Sequence, residues 1–366
     1  MSKSILIIAL TNLSRSPRPI RQINALKNNF KVDTMGLEKS GLENNFYKIN
    51  KKSIIARFIR LPLLLFKMYN LYYWDQNKKN TVKKMESLNY DLIIVHEVRM
   101  LPFAFKISKN AKIILDAHEY SPNNFEDNFI WKIFIKSFYI HLCKKYLIQC
   151  DRVITVCNKI ADLYKKNFNI KCDVITNASD YYDLKPSDTK ENKIKIIHHG
   201  NASSSRKLEL MIEMMEYLDD RFELYLMLIA KRMNKIYFKK IKNMAKKYDN
   251  IYFLNPVPYN EIIKYSNQFD IGLIFFPPSN LNLKYCLPNK FFEFLQSRLC
   301  IATSPLVEIQ RYVEKYDLGI VSKNFNPQNL AESLNKLSKN DIMRHKKKCH
   351  ENSQILSSES NKNKIL

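Results

Sequence analysis

The sequence predicts an α/β protein built from two parallel-sheet halves, and three observations support this. Short apolar, β-rich runs alternate with helix-length segments along the chain, the pattern that crossover connections impose on a parallel sheet. A polar stretch at 179–192 interrupts that pattern near the middle. The length, 366 residues, exceeds one comfortable core and suits two domains of roughly 150 to 200 residues each.

In the first half, the runs 5–10, 91–96, 112–116 and 152–156 read as buried parallel strands, because Ile, Leu and Val dominate them and polar turns bound them. In such a sheet the ligand crevice lies at the carboxyl ends of the strands, which lead here into 11–19, 97–102 and 117–122. The second half repeats the pattern with strands at 194–198, 222–229, 251–254, 271–275 and 300–303. From 341 the chain becomes a charged helical segment that frays into Ser and Asn. The expected division is therefore 1–178, a linker at 179–192, a second domain at 193–340, and a helical tail at 341–366.

Composition excludes several classes. Only five glycines occur, at 36, 41, 200, 272 and 319, and none are clustered, so neither common Gly-rich phosphate loop is present. Seven cysteines with no C-x-x-C spacing suggest neither a disulfide scaffold nor a zinc site, and read as reduced thiols. Asp219-Asp220 reads as a polar helix terminus, so no metal ligand set is expected. The N-terminal apolar run is too short for a signal peptide, and no stretch approaches eighteen apolar residues. A cytoplasmic protein is expected.

A formal charge of +25 predicts attraction to polyanions: nucleic acid, an anionic membrane surface or phosphorylated substrates. One segment, 48–84, carries ten basic residues and one acid, Asp75, interleaved with Phe58, Tyr69, Tyr72, Tyr73 and Trp74. A second, 131–145, mixes Lys132, Lys136, Lys144 and Lys145 with Phe134, Phe138 and Tyr139. Basic residues among interfacial aromatics suit a helix lying on an anionic membrane. The alternative is a core-packed helix with a solvated lysine face, which Pro62 favours by interrupting the pattern.

Two stretches carry candidate chemistry. At 196–210 a strand ends in His198-His199-Gly200, then small hydroxyl residues lead to Arg206, Lys207 and a helix start; exposed N–H groups at such a start suit phosphate, although an ordinary N-cap at Ser205 reads equally well. At 275–302 a strand ends in prolines, and Pro288-Asn289-Lys290 opens a helix with Glu293 one turn in. That carboxylate is placed to accept hydrogen bonds from vicinal hydroxyls, or only to stabilise a first turn.

These residues carry a resemblance. His198-His199-Gly200 with Arg206, Phe253 to Tyr259 before a helix, Asp270-Ile271-Gly272-Leu273, and above all Pro288-Asn289-Lys290-Phe291-Phe292-Glu293 resemble the donor-binding domain of GT-B retaining glycosyltransferases. The kin are the group 1, family 4-like enzymes that include bacterial polysaccharide and lipopolysaccharide transferases. Asp116-Ala117-His118-Glu119 and Val174 to Ala178 resemble the acceptor-side strand end and the approach to the second domain.

The resemblance implies two Rossmann-like domains facing each other across a cleft, with the C-terminal helix returning to the first. It implies that Glu293 holds the ribose hydroxyls, that Arg206 contacts the diphosphate with Gly200 and Lys207 beside it, and that Asn289 and Lys290 line the diphosphate and sugar. Val257 falls where the base is recognised, and His118 would face the transferred sugar. Arg15 and Arg18 would supply charge to the diphosphate or to a lipid-phosphate acceptor, or belong to a solvated loop. Two positions depart from the pattern: Tyr285 stands where the first Glu of Glu-x7-Glu is usual, and Asn201 where a basic phosphate ligand is common.

The implied activity is metal- and cofactor-independent, retaining transfer from a nucleotide-sugar, most often a UDP-sugar, to a lipid-linked glycan at the cytoplasmic membrane face. A soluble or protein acceptor is the alternative within the enzymes. A non-catalytic nucleic-acid binder would explain the charge but not the Pro288 to Glu293 segment, so nucleic acid is not an expected partner.

Overall fold

The computed structural model describes residues 3–50, 54–126, 128–230 and 232–361. The chain divides into two units: unit 1 runs to Ile175 and takes in Asn280–Asn282, and unit 2 comprises Thr176–Ser279 and the chain from Leu283 onward.

Unit 1 contains β1 (Ser4–Ala9), β2 (Lys31–Gly36), β3 (Phe46–Lys48), β4 (Leu92–His96), β5 (Lys112–Asp116), β6 (Arg152–Thr155) and β7 (Asp173–Val174). They form one sheet in the order β3-β2-β1-β4-β5-β6-β7, with every pair parallel. Chain direction through the sheet reverses between β1 and β4, and such a switch point opens a crevice at the strand ends. Register places His96 beside both Ala9 and Asp116. Paired residues share a face, so the carboxyl ends of β4 and β5 deliver an imidazole and a carboxylate side by side.

Sequence patterning misses β2, β3 and β7. β2 escapes because Asp33 and Thr34 break its apolar run although both are buried. Asp33 is tolerated there because it accepts from Asn45 N–H at 3.1 Å, Asn45 Nδ2 at 3.0 Å and Tyr90 OH at 3.0 Å.

Unit 2 contains β8 (Ile194–Asn201), β9 (Phe222–Ile229), β10 (Ile251–Phe253), β11 (Ile271–Ile274), β12 (Cys300–Thr303) and β13 (Gly319–Val321). The order is β10-β9-β8-β11-β12-β13, again wholly parallel, with the switch point between β8 and β11. The helix Asn289–Gln296 is buried from Lys290 to its end. Gly272 explains how it lies so close to the sheet: a Cβ at Gly272 would stand 2.4 Å from the Phe294 ring. Phe294 occupies the space that any other residue on β11 would fill.

The C-terminal helix, Lys339–Asn352, carries a capping box between Ser338 and Asp341. It packs on β12 and β13 of unit 2. Lys346 on this helix is fully buried, and its Nζ reaches Asp270 at 3.3 Å and the Phe269 carbonyl at 3.2 Å. The 179–192 stretch is pinned to the same unit, Thr189 Oγ1 donating to Asp270 at 2.7 Å and Arg298 donating to the Leu184 carbonyl at 3.1 Å.

Candidate functional site

The carboxyl end of β8 is the centre of a charged cluster in unit 2. His198 donates from Nδ1 to the Leu273 carbonyl of β11 at 2.8 Å, which leaves Nε2 to accept from Lys290 Nζ at 3.2 Å. Lys290 is only 5% exposed. Its burial, and then the nearby Arg206 guanidinium, pull its pKa well below that of an ordinary lysine.

Gly200 follows at φ +135°, a conformation that L side chains rarely adopt. The position a Cβ would take there lies 3.3 Å from Lys290 Nζ and 3.7 Å from Arg206 Nη1. The glycine thus keeps open the space where the two cations converge. Arg206 also lies over the Phe276 ring at 5.9 Å, which steadies the guanidinium.

Glu293 stands one turn after Lys290 on the same helix face and is equally buried. Its Oε2 is 3.6 Å from His199 Nε2. Burial, then Lys290 and Arg206, push the His199 pKa down to about 3, so the ring is neutral. It packs edge-on against Phe294 at 4.8 Å, and its Nε2 has no hydrogen-bond partner among the described residues. Two cations meeting at a glycine make an anion seat, and a carboxylate one turn away is an acceptor for hydroxyls.

Of the expected donor-side residues, Gly200, Arg206, Lys290 and Glu293 are brought together. Asn289 opens the helix beside them. Lys207 is exposed and caps a 3-10 turn, Ser204–Arg206, at φ 46°, and Val257 lies half-buried in the loop after β10. The helix start expected at Ser205 is absent: the helix begins only at Glu209, because the left-handed Lys207 breaks the chain first. The Leu208 N–H that a phosphate could have used donates instead to the Tyr237 hydroxyl at 2.8 Å.

In unit 1 the helix Pro17–Leu26 follows β1 and places Arg18 and Gln22, four residues apart, on its inner face. Arg15 is exposed on the preceding 3-10 turn. Arg18, expected with it as a loop cation, is 6% exposed and donates to Asp116 Oδ2 at 2.6 Å and to the Ile175 carbonyl at 2.8 Å. Gln22 Nε2 donates to the same Asp116 oxygen at 2.7 Å. Burial alone would raise the Asp116 carboxyl, but Arg18 and the two adjacent imidazoles hold it well below the usual carboxylate range.

His118 follows β5. Its Nε2 lies 2.6 Å from His96 Nδ1, and His96 Nε2 is 2.9 Å from Gln22 Oε1. Burial is the main cause that lowers the pKa of His96 to about 3 and of His118 to about 4. Among the described residues His96, Asp116 and His118 are the grouped metal-ligand types, but Arg18 already neutralises the carboxylate and the two ring nitrogens facing one another are hydrogen-bonded. The cluster fits a polar network better than a cation.

Residues 183–354 match the family profile described as glycosyl transferases group 1. Unit 2 carries a glycosyltransferase group 1 domain. With that domain the chain is a glycosyltransferase, and its two parallel-sheet units have the GT-B fold. Similar solved structures agree on the fold along the whole length. Sucrose-phosphate synthase from Thermosynechococcus elongatus has a TM-score of 0.74 at 12% identity, over 99% of this chain and 97% of that one. HepE from Anabaena, in complex with UDP and glucose, scores 0.72 at 12% identity, over 99% and 98%. An E. coli structure described as trehalose-6-phosphate bound with UDP-2-fluoro glucose scores 0.71 at 11% identity, over 99% and 98%. No curated protein matches the sequence at a significant level.

Two residues of the glycosyltransferase's polar clusters were not anticipated as site residues, His96 and Gln22. The end of a predicted strand marked His96, and the i,i+4 spacing from Arg18 marked Gln22; neither lay in a motif. His198 and His199 were noticed only as neighbours of Gly200, and the structure gives both a contact with the charged helix.

Proposed function

We propose that this glycosyltransferase moves a sugar from a nucleoside-diphosphate sugar, a UDP-sugar first, to a sugar hydroxyl with retention of configuration. One observation carries the reading: Lys290 and Arg206 converge on Gly200, at the switch point of the unit 2 sheet, with Glu293 one turn away. The diphosphate would take the place where the cations meet, and stabilising its growing charge as it departs would be the largest protein contribution to the rate. Glu293 would accept from the ribose hydroxyls, and Lys290 would gain a second anionic neighbour besides Glu293. In unit 1, His118 would meet a hydroxyl of a sugar ligand.

For the acceptor, a soluble sugar phosphate is the first reading, since two solved structures of the same fold are described by the names of sugar-phosphate products. A lipid-linked acceptor at an anionic membrane is the second, and a specific observation favours it. Phe58, Ile59, Leu65, Phe66, Met68 and Leu71 are exposed, as are Phe129, Ile130 and Ile133. The Pro62–Leu65 turn packs against Trp131–Ile135, and Tyr69 and Tyr72 meet the Phe138 ring at 5.8 and 5.1 Å. The two basic, aromatic stretches thus form one apolar surface with Lys67 and Lys132 exposed upon it. No helix among the described residues is long and apolar enough to cross a membrane.

The test is transfer from radiolabelled UDP-glucose and UDP-N-acetylglucosamine to hexose phosphates in buffer, and to a polyprenyl-linked sugar in anionic vesicles. Product in buffer alone supports the soluble acceptor. Product only with vesicles supports the lipid acceptor. Absence of UDP binding by calorimetry contradicts the donor assignment itself.

A further inference from the structure

Hydrogen-bond polarity can be followed through the unit 1 network, one atom at a time, from Asp116 to His118. The Asp116 carboxylate, held ionised by Arg18, only accepts. Gln22 Nε2 donates to it at 2.7 Å, so the amide is oriented with Oε1 turned away, 2.9 Å from His96 Nε2. A carbonyl oxygen also only accepts, and His96 Nε2 therefore carries a hydrogen. A neutral imidazole has one N–H, so His96 Nδ1 is bare. At 2.6 Å from His118 Nε2 it must accept, and His118 must carry its hydrogen on Nε2. The low pKa values of both rings agree with one proton each.

We propose that Gln22 and His96 are positioning residues that lock His118 in its Nε2–H tautomer, so that His118 Nδ1 serves only as an acceptor for a sugar hydroxyl. The geometry of the half-buried ring allows this: Nε2 is committed to His96, and Nδ1 makes no hydrogen bond among the described residues. The functional half of this inference rests on the proposed meeting of His118 with a sugar; the tautomer does not. An acceptor-only nitrogen selects for a hydroxyl and loses its bond to a deoxy or fluoro analogue, because neither of these can donate.

Histidine-labelled protein tests the lock directly, by long-range ¹H–¹⁵N spectra at pH 7 with His118 assigned from the His118→Gln variant. The expected spectrum has a protonated-type shift at His118 Nε2 and a bare-type shift at Nδ1. Gln22→Met, close in shape to glutamine, removes the acceptor that orients His96, and His118 should then become a mixture of tautomers. His96→Leu should do the same, while His96→Asn, whose Oδ1 can replace the bare Nδ1, should restore the lock.

Transfer kinetics should follow the spectra, with kcat/KM falling about tenfold in Gln22→Met and His96→Leu, the loss of roughly one hydrogen bond, and recovering in His96→Asn. A wild-type His118 protonated on Nδ1, or an unchanged tautomer in Gln22→Met, overturns the lock. An intact lock whose loss leaves kcat/KM unchanged overturns the sugar role of His118 and leaves the donor-site reading in unit 2 untouched.

Discussion

Lys290 Nζ lies 3.2 Å from His198 Nε2, a buried lysine donating to an imidazole whose other nitrogen is committed to Leu273. A neutral ring compensates a buried cation poorly. Burial and the Arg206 charge therefore disfavour the Lys290 ammonium, which Glu293 favours, and a diphosphate would add a second anionic neighbour.

Lys290→Met should consequently stabilise the ligand-free enzyme while weakening nucleotide binding. The expected gain is on the order of 1 kcal/mol, or about 2 to 4 °C in melting temperature, against a loss of nucleotide affinity of roughly tenfold or more. Thermal denaturation and calorimetry measure the two quantities. A lower melting temperature would show that Lys290 serves the fold.

Gly200→Ala places a methyl between the two cations at a backbone angle suited to glycine. Strain of about 1 to 3 kcal/mol is expected, together with loss of nucleotide binding beyond what the stability change explains. Urea denaturation with a nucleotide titration separates these effects, and normal binding by the variant would remove Gly200 from the site.

Glu293→Gln exchanges a charged acceptor for a neutral amide. Nucleotide affinity should fall by roughly 1.5 to 3 kcal/mol, the range for hydrogen bonds to charged groups, with the fold retained. The corresponding 2′-deoxy and 3′-deoxy nucleotides should bind the variant and the wild type with a smaller difference.

Stability should fall as pH drops from neutral toward 4. His96, His118 and His199 have folded-state pKa values of about 3, 4 and 3, below the ordinary histidine value near 6.5. Between those values the unfolded chain binds the protons and the folded chain does not, so acid favours unfolding, by up to about 1.4 kcal/mol per pH unit for each ring. Urea midpoints measured from pH 7.5 to 5 check this, and a flat profile would show that the rings are charged when folded.

The apolar surface of unit 1 should bind anionic vesicles if the lipid acceptor is correct. The 48–84 stretch offers Arg57, Arg60 and Lys67 as cations beside these apolar residues in sequence. Arg60 instead donates to the Trp74 carbonyl at 3.0 Å, and the Arg57 side chain lies outside the described residues. Ile59 and Phe66, exposed at 71% and 74%, are better probes. Replacing both by Ser should cost about 1.5 to 3 kcal/mol of partitioning for each side chain that inserts, with UDP binding unchanged.

Much of the fold was legible because core strands in a parallel sheet are runs of Ile, Leu and Val, as in β1, β4, β8 and β9. Four strands were not legible: Asp33 and Thr34 interrupt β2, β3 and β7 are partly exposed, and β13 holds three half-buried residues. The donor-side cluster could be foreseen because Gly200, Lys290 and Glu293 belong to compact motifs. The Asp116 network could not, because its members come from 18, 22, 96, 116 and 118, and only sheet register brings them together. Arg18 shows the limit most clearly, since nothing local distinguishes a loop cation from one buried against a carboxylate 98 positions away.

The central claim, that Lys290 and Arg206 form the seat for the outer phosphate of a nucleoside diphosphate, is tested most directly by calorimetric titration of UDP against UMP, and of GDP against GMP. Wild-type protein should bind one diphosphate at least tenfold more tightly than its monophosphate, and Lys290→Met should abolish that preference while remaining folded. No preference in the wild type, or the same preference in the variant, would contradict the assignment.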